Sequence, residues 1–301
     1  LEESVANVPK VERPSRDKWT FSGDGRDGGL VPGGVAPGSA AQPEARSVRS
    51  LKPEDVHSVL QPIVELDSGR CFAAEVLARC RWPELASPLE LFKSAETDQC
   101  VGRLGRMIRD HAFARPPSLP LFVNLHPHEL SSRWLVRPDD PLNFHECDVY
   151  LEITESAAFD HFDLVTNTLR ELCSRSGAKL AIDDFGAGYS NLKRVVELEP
   201  AIVKLDRELV CGIHRSPRQQ TLVRHLVELC EDLGARVVAE GIEEVGELRV
   251  LRELGVHYGQ GFLMARPASF LPEVSWPLTD LPVPAGGLGR ASGLPPRRPA
   301  R

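Results

Sequence analysis

The chain has 301 residues, of which 42% are hydrophobic and 26% charged, and its formal net charge is −7. That composition supplies a buried core and excludes wholesale disorder. The acidic balance argues against a nucleic-acid polymer as partner, and no apolar run reaches the roughly 18 residues that a membrane span needs.

Residues 1–10 lack the charged-then-apolar layout of a secretion signal. Residues 22–36 are dominated by glycine and small side chains, and residues 281–301 alternate Pro, Gly and Arg. Neither stretch buries enough to offset the entropy of ordering. Residues 1–50 and 276–301 are therefore expected to be disordered segments flanking one folded domain over 51–275, and the basic end reads as a solvated terminus. Within the domain, eight short apolar runs read as strands: 59–66, 71–78, 121–125, 149–153, 179–182, 202–205, 236–239 and 258–263. Amphipathic helical patterns fall between most of them. In 162–176, Leu164, Val165, Leu169, Leu172 and Cys173 are spaced for one face, and Gly177 follows. In 217–233, Leu222, Val223, Leu226, Val227, Leu229, Cys230 and Leu233 are expected to build one apolar face, with Ser216 as cap, Pro217 in the first turn and Gly234 as the stop. Repeated strand–helix alternation with eight strands predicts an α/β fold, a (β/α)8 TIM-type barrel. Only Asp67-Ser68-Gly69 joins the first two strands. That is too short for a parallel crossover, so one antiparallel strand is expected near the start. Seven cysteines (Cys71, Cys80, Cys100, Cys147, Cys173, Cys211, Cys230) show no CxxC spacing. They read as reduced thiols in a cytoplasmic protein.

Polar residues punctuate the ends of these apolar runs. Glu75, Asn124, Glu152, Asp183, Asp184, Lys204, Asp206, Glu240 and Gln260 lie in or just after seven of the eight. In a barrel such ends converge on one mouth, where barrel enzymes hold their sites. Carboxylates and an amide form a hard oxygen set suited to Mg²⁺ or Mn²⁺ rather than Zn²⁺. Without metal they would repel one another and take up protons. Asp183 and Asp184 point differently along a strand, so one can bridge two ions while the other binds one; such a pair of ions clamps the oxygens of a phosphate ester. Lys204 is placed to orient a nucleophilic water. Phe185-Gly186-Ala187-Gly188-Tyr189-Ser190 reads as a mobile loop over the site. His126 and His128, separated by Pro127, cannot take i,i+4 helical spacing and read as loop or rim positions; His111 and His257 read as structural.

Taken in order, QPIVELDSG (Gln61), EVLAR (Glu75, Arg79), FVNL (Asn124), LEITES (Glu152, Glu155), AIDDFGAGYSNL (Asp183, Asp184), VKLD (Lys204, Asp206), VVAEGIE (Glu240, Glu243) and YGQGFLMARP (Gln260) resemble the EAL-domain cyclic di-GMP phosphodiesterase family over about residues 58–267. The resemblance implies hydrolysis of cyclic di-GMP to linear pGpG with two ions, Mg²⁺ or Mn²⁺. It implies Glu75, Asn124, Glu152 and Asp183 around one ion, and Asp183, Asp184 and Glu240 around the other. Lys204 would position the attacking water and Glu240 would contribute to its deprotonation, with Glu75 essential to turnover. Gln61, Arg79, Asp206, Glu243 and Gln260 are implied to face substrate, and Glu155 to anchor the glycine-rich loop. A homodimer is among the partner states implied. The chain departs from the family pattern at Val76, Cys80 and Glu247, and the segment between Arg81 and Ser87 is short. A receptor or protein-interaction module on the same barrel, without turnover, stays open as the alternative. A carbon-acid barrel enzyme is disfavoured by the ordered motifs.

Overall fold

The structure is a computed structural model that describes residues 47–130, 138–154, 162–186 and 192–278, without the side chains of 162–165, 192 and 194. The expected flanking segments and Glu155 fall outside these residues, apart from a few positions at the domain edges. Val48 and Leu278 are buried, so packing extends slightly past the expected 51–275 at both ends.

The eight apolar runs become β1 (Val56–Glu65), β2 (Cys71–Cys80), β3 (Leu121–Asn124), β4 (Val149–Thr154), β5 (Lys179–Phe185), β6 (Ile202–Leu205), β7 (Arg236–Ala239) and β8 (Tyr258–Gly259), closed into a barrel in chain order. β1 runs antiparallel to both β2 and β8, and every other pairing is parallel. The three-residue connection forces this reversal, because a chain that short can only fold straight back. The helices are α1 (Pro88–Thr97), α2 (Val101–Ala114), α3 (Pro127–Leu130), α4 (Phe162–Ser176), α5 (Leu192–Leu198), α6 (Arg207–Val210), α7 (Pro217–Asp232) and α8 (Val245–Glu253). Among the described residues, no helix is long and apolar enough to cross a membrane.

Two expectations need correction. In α7 the Ser216 side chain accepts from Gln219 N–H as a cap, but the buried stripe is Val223, Val227 and Cys230. Leu222 and Leu233 are 49% and 39% exposed. At 100° per residue the leucines lie to one side of that stripe, so hydrophobicity alone overstated the face. The last strand ends at Gly259, not at residue 263. Gly261 rests directly on the Ile242 backbone, where any Cβ would overlap the Ile242 carbonyl oxygen. That contact turns the chain immediately after Gln260.

The barrel interior is filled by one residue from each strand: Ile63, Ala73, Phe122, Tyr150, Ala181, Ile202, Val238 and Tyr258. A larger apolar layer lies between sheet and helices, including Leu121, Leu151, Val203, Val237 and Leu248. Outside it, Arg109 of α2, 1% exposed, donates from Nη1 to Glu129 (2.6 Å) and from Nε to Asp140 (3.2 Å). Glu129 in turn accepts from His126 N–H at 3.2 Å, which fixes the turn leaving β3.

Candidate metal and phosphodiester site

Strand periodicity builds the site. Side chains two residues apart share a face. Stepping two residues on from each apolar plug residue gives Glu75, Asn124, Glu152, Asp183, Lys204, Glu240 and Gln260. β1 is antiparallel, so the same step runs backwards there and gives Gln61. Eight polar residues thus stack on eight apolar ones, toward the C-terminal ends of the parallel strands. The pairings Gln61↔Glu75 and Asn124↔Glu152 hold this layer in register.

Lys204 is its centre. The ammonium is 1% exposed and lies 2.5 Å from Glu240, 2.6 Å from Glu152, 3.0 Å from Asp183 and 3.7 Å from Glu75. Burial alone would lower its pKa, but Asp183, Glu152, Glu240 and Glu75 outweigh it and raise it well above the ordinary value. Asn124 Nδ2 donates to Glu75 (3.3 Å) and Glu152 (3.0 Å). Gln260 Nε2 donates to Glu75 (2.5 Å) and to Gln61 (3.1 Å), whose own amide donates to the Ala265 carbonyl. Every side chain here is held by another.

The acids crowd beyond what one ammonium neutralises. Burial raises Glu152 well above the usual carboxylate range. Burial, then Asp183 and Asp206, push Asp184 up to about 6. Burial, aided by Asp183 and Glu75 against the pull of Lys204, pushes Glu240 up to about 8. A regular strand would turn Asp184 away from Asp183. Here Asp184 has φ 56°, in the left-handed region, at a register irregularity between β5 and β6. Its carboxylate returns to the cup, and one oxygen each from Asp183, Asp184 and Glu240 lie within 4.8 Å of one another. Gly186 follows at φ 100°, where a Cβ would strike Leu209.

These residues fit a divalent cation. Glu152 Oε1 and Asp183 Oδ1 are buried and face the Lys204 ammonium at 2.6 and 3.0 Å, so a single positive charge is shared among four crowded carboxylates whose remaining lone pairs line an acidic cup. The donors are oxygens, the set that hard ions take.

The remaining expected residues sit around this cup. Arg79, four residues past Glu75 on β2 and paired with His57 of β1, is half-buried and donates to the Ala78 carbonyl at 2.8 Å; burial lowers its pKa and Glu75 opposes that. Asp206 caps α6, accepting from Glu208 N–H at 2.6 Å. Glu243 lies on the rim, 3.0 Å from Arg207. Glu247, a departure from the family pattern, is buried and accepts from the N–H groups of Gly212, Glu243 and Glu244. It shapes the segment after Glu240 rather than facing the cup. Cys80 is buried in the apolar layer. The sequence reading missed one grouping: Glu96 of α1 meets His126 and His128. The HxH spacing was visible, but its third member lies about thirty residues earlier on another element.

A closed α/β barrel with a lysine-centred acidic cup at the C-terminal end of its strands defines the class. The EAL domain family matches residues 45–267, and the chain belongs to that family. It is 34% identical over 235 residues to the cyclic di-GMP phosphodiesterase RocR of Pseudomonas aeruginosa, covering 73% of this chain and 59% of RocR. It is 32% identical over 221 residues to the cyclic di-GMP phosphodiesterase PdeR of Escherichia coli, covering 69% of this chain and 33% of PdeR. Among solved structures, the manganese and cyclic di-GMP complex of BlrP1 from Klebsiella pneumoniae superposes with a TM-score of 0.64 at 35% identity, over 74% of this chain and 58% of that one. The chain therefore spans less than two thirds of the length of each of these relatives.

Proposed function

We propose that the chain hydrolyses cyclic di-GMP to linear pGpG by in-line attack of water on one phosphodiester. The observation that carries this is the cup: four carboxylates around a buried lysine at the mouth of an EAL barrel. A receptor needs an anion-binding surface, and gains nothing from crowded acids that only a cation relieves.

Two ions, Mg²⁺ or Mn²⁺, are the reading we adopt, one held by Glu75, Asn124, Glu152 and Asp183 and the other by Asp183, Asp184 and Glu240. Bound there, they supply Lewis acidity toward the phosphate oxygens and acidify water. The chain's own groups do the rest. Asn124 offers its carbonyl oxygen once the amide turns away from the carboxylates it now donates to. Lys204 Nζ, held between Glu152 and Glu240, donates to the attacking water and fixes its line toward phosphorus. Glu240 takes the proton of the attacking water as the new P–O bond forms, and the departing 3′ oxygen takes a proton from solvent as its own P–O bond breaks. Gln61 and Gln260 hold the floor beside Glu75, while Arg79, Asp206 and Glu243 face the dinucleotide, Arg79 through its planar fork of donors. Glu155, outside the described residues, is assigned to anchoring the loop after Gly186. All seven cysteines are free, which supports a reducing, cytoplasmic setting. The homodimer is retained as part of this reading on the family resemblance.

The test is chromatography of products from cyclic di-GMP incubated with the purified chain and Mg²⁺ or Mn²⁺. Conversion to pGpG that chelator and Glu75→Ala both abolish is expected. Binding without conversion under either ion would replace the enzyme with the receptor reading.

A further inference from the structure

We infer that the chain carries a second, chemically different metal site, built from His126, His128 and Glu96, that takes a borderline transition-metal ion such as Zn²⁺ or Co²⁺. His126 Nε2 lies 3.1 Å from Glu96 Oε1, and His128 Nδ1 lies 3.8 Å from the same oxygen. The three groups offer ligand atoms that all lie within 4.8 Å of one another. Zinc bonds of about 2.0–2.2 Å to nitrogen and oxygen, at tetrahedral angles, place ligand atoms a little over 3 Å apart. The His126–Glu96 spacing is close to that, and the exposed His128 side chain closes the remaining distance by rotation without backbone movement. Two imidazoles and one carboxylate form a three-ligand set that zinc accepts with a solvent fourth ligand.

Two contacts hold His126 in place. The His126 ring stacks on Phe92, with centroids 5.5 Å apart and planes 5° from parallel. Its backbone N–H is tied to Glu129, itself clamped by buried Arg109. Glu96 stands in the last turns of α1, so the ligands come from two elements and a bound ion would pin α1 to the turn that leaves β3. The two histidines are only two residues apart, with Pro127 opening α3 between them, and this entry into the helix brings both rings to the same carboxylate. Loading has a cost: His126 Nδ1 now accepts from His128 N–H at 3.3 Å. A metal on Nε2 moves the ring proton to Nδ1 and opens that contact.

The nitrogen donors separate this site from the cup, whose ligands are oxygens. The test is Co²⁺ titration of the full chain with Mg²⁺ in large excess to fill the acidic cup, followed by visible absorption. One equivalent with the intense bands of a four-coordinate, nitrogen-ligated ion is expected, and a zinc-competition titration should displace it. His128 is largely exposed, so His128→Ala should stay folded. It should weaken Co²⁺ at least as much as the about 10–100-fold loss typical of removing an outer-shell partner. Glu96→Gln should do the same, while Glu152→Gln should leave the bands intact. Bands that survive His128→Ala, or vanish in Glu152→Gln, or never form, overturn the proposal. Cyclic di-GMP turnover in Mg²⁺ alone is a separate readout, so this site and the phosphodiester site fail independently.

Discussion

Lys204 shows what a single residue does for this barrel. An ammonium shut away from water among four acids is tolerable only because each partner needs it. Replacing it by methionine keeps the volume and removes the charge. Metal-free Lys204→Met should lose about 3–5 kcal/mol, the cost of stranding buried charges, and regain part of it with Mn²⁺. Urea unfolding with and without the ion measures this; an unchanged midpoint would show the ammonium to be a bystander. Titration gives a second outcome at this scale. Glu240, pushed up to about 8 by burial, and Asp184, pushed up to about 6 by burial, must release protons to ligate a cation. Mn²⁺ uptake should expel protons at neutral pH, and its affinity should climb as pH rises between about 6 and 8. Calorimetry in buffers of different ionisation heat reads the proton count directly, and Glu240→Gln should remove the upper step. Because Glu240 titrates higher folded than its ordinary 4.5, its share of metal-free stability is full below that pH and is lost as pH climbs through about 8. The acids themselves were legible in the sequence because each ends an apolar run. The return of Asp184 to the cup was not. It depends on a left-handed backbone angle and a slipped register between β5 and β6 that neighbouring strands impose.

At the scale of elements, the turn after β3 carries Asn124 inward and His126 outward, and the polar triad behind it sets where it lies. Arg109→Met should cost about 3–5 kcal/mol, since Glu129 and Asp140 would be left buried without their cation. Thermal unfolding checks it, and a drop in Mn²⁺ affinity should accompany the loss because Asn124 shares that turn. A midpoint within a degree of the parent would show the triad to be dispensable. Strand identity and order could be read from apolar runs and connection length, including the antiparallel β1. The buried stripe of α7 could not, because leucines on the flank of a helix are as hydrophobic as those beneath it. Nor could the short β8, which ends where Gly261 meets the backbone of Ile242.

Across the whole molecule, period-two geometry turns eight separate motifs into two stacked rings, one apolar and one polar. The apolar ring ties the strands together and excludes water below. The polar ring sits above it, where the only cation inside the described cup is an ammonium surrounded by acids. The (β/α)8 architecture was legible from strand count and alternation, and the ring membership from where polarity interrupts each strand. The Glu96–His126–His128 grouping was not legible, because only folding brings α1 beside the turn after β3. The account stands on the claim that the strand ends form a divalent-cation cup. Anomalous diffraction from crystals grown with Mn²⁺ tests that most directly. It should show one peak among Glu75, Asn124, Glu152 and Asp183 and a second shared by Asp183, Asp184 and Glu240. A cup that stays free of anomalous density at saturating Mn²⁺, with Lys204 still locked among the acids, would contradict it.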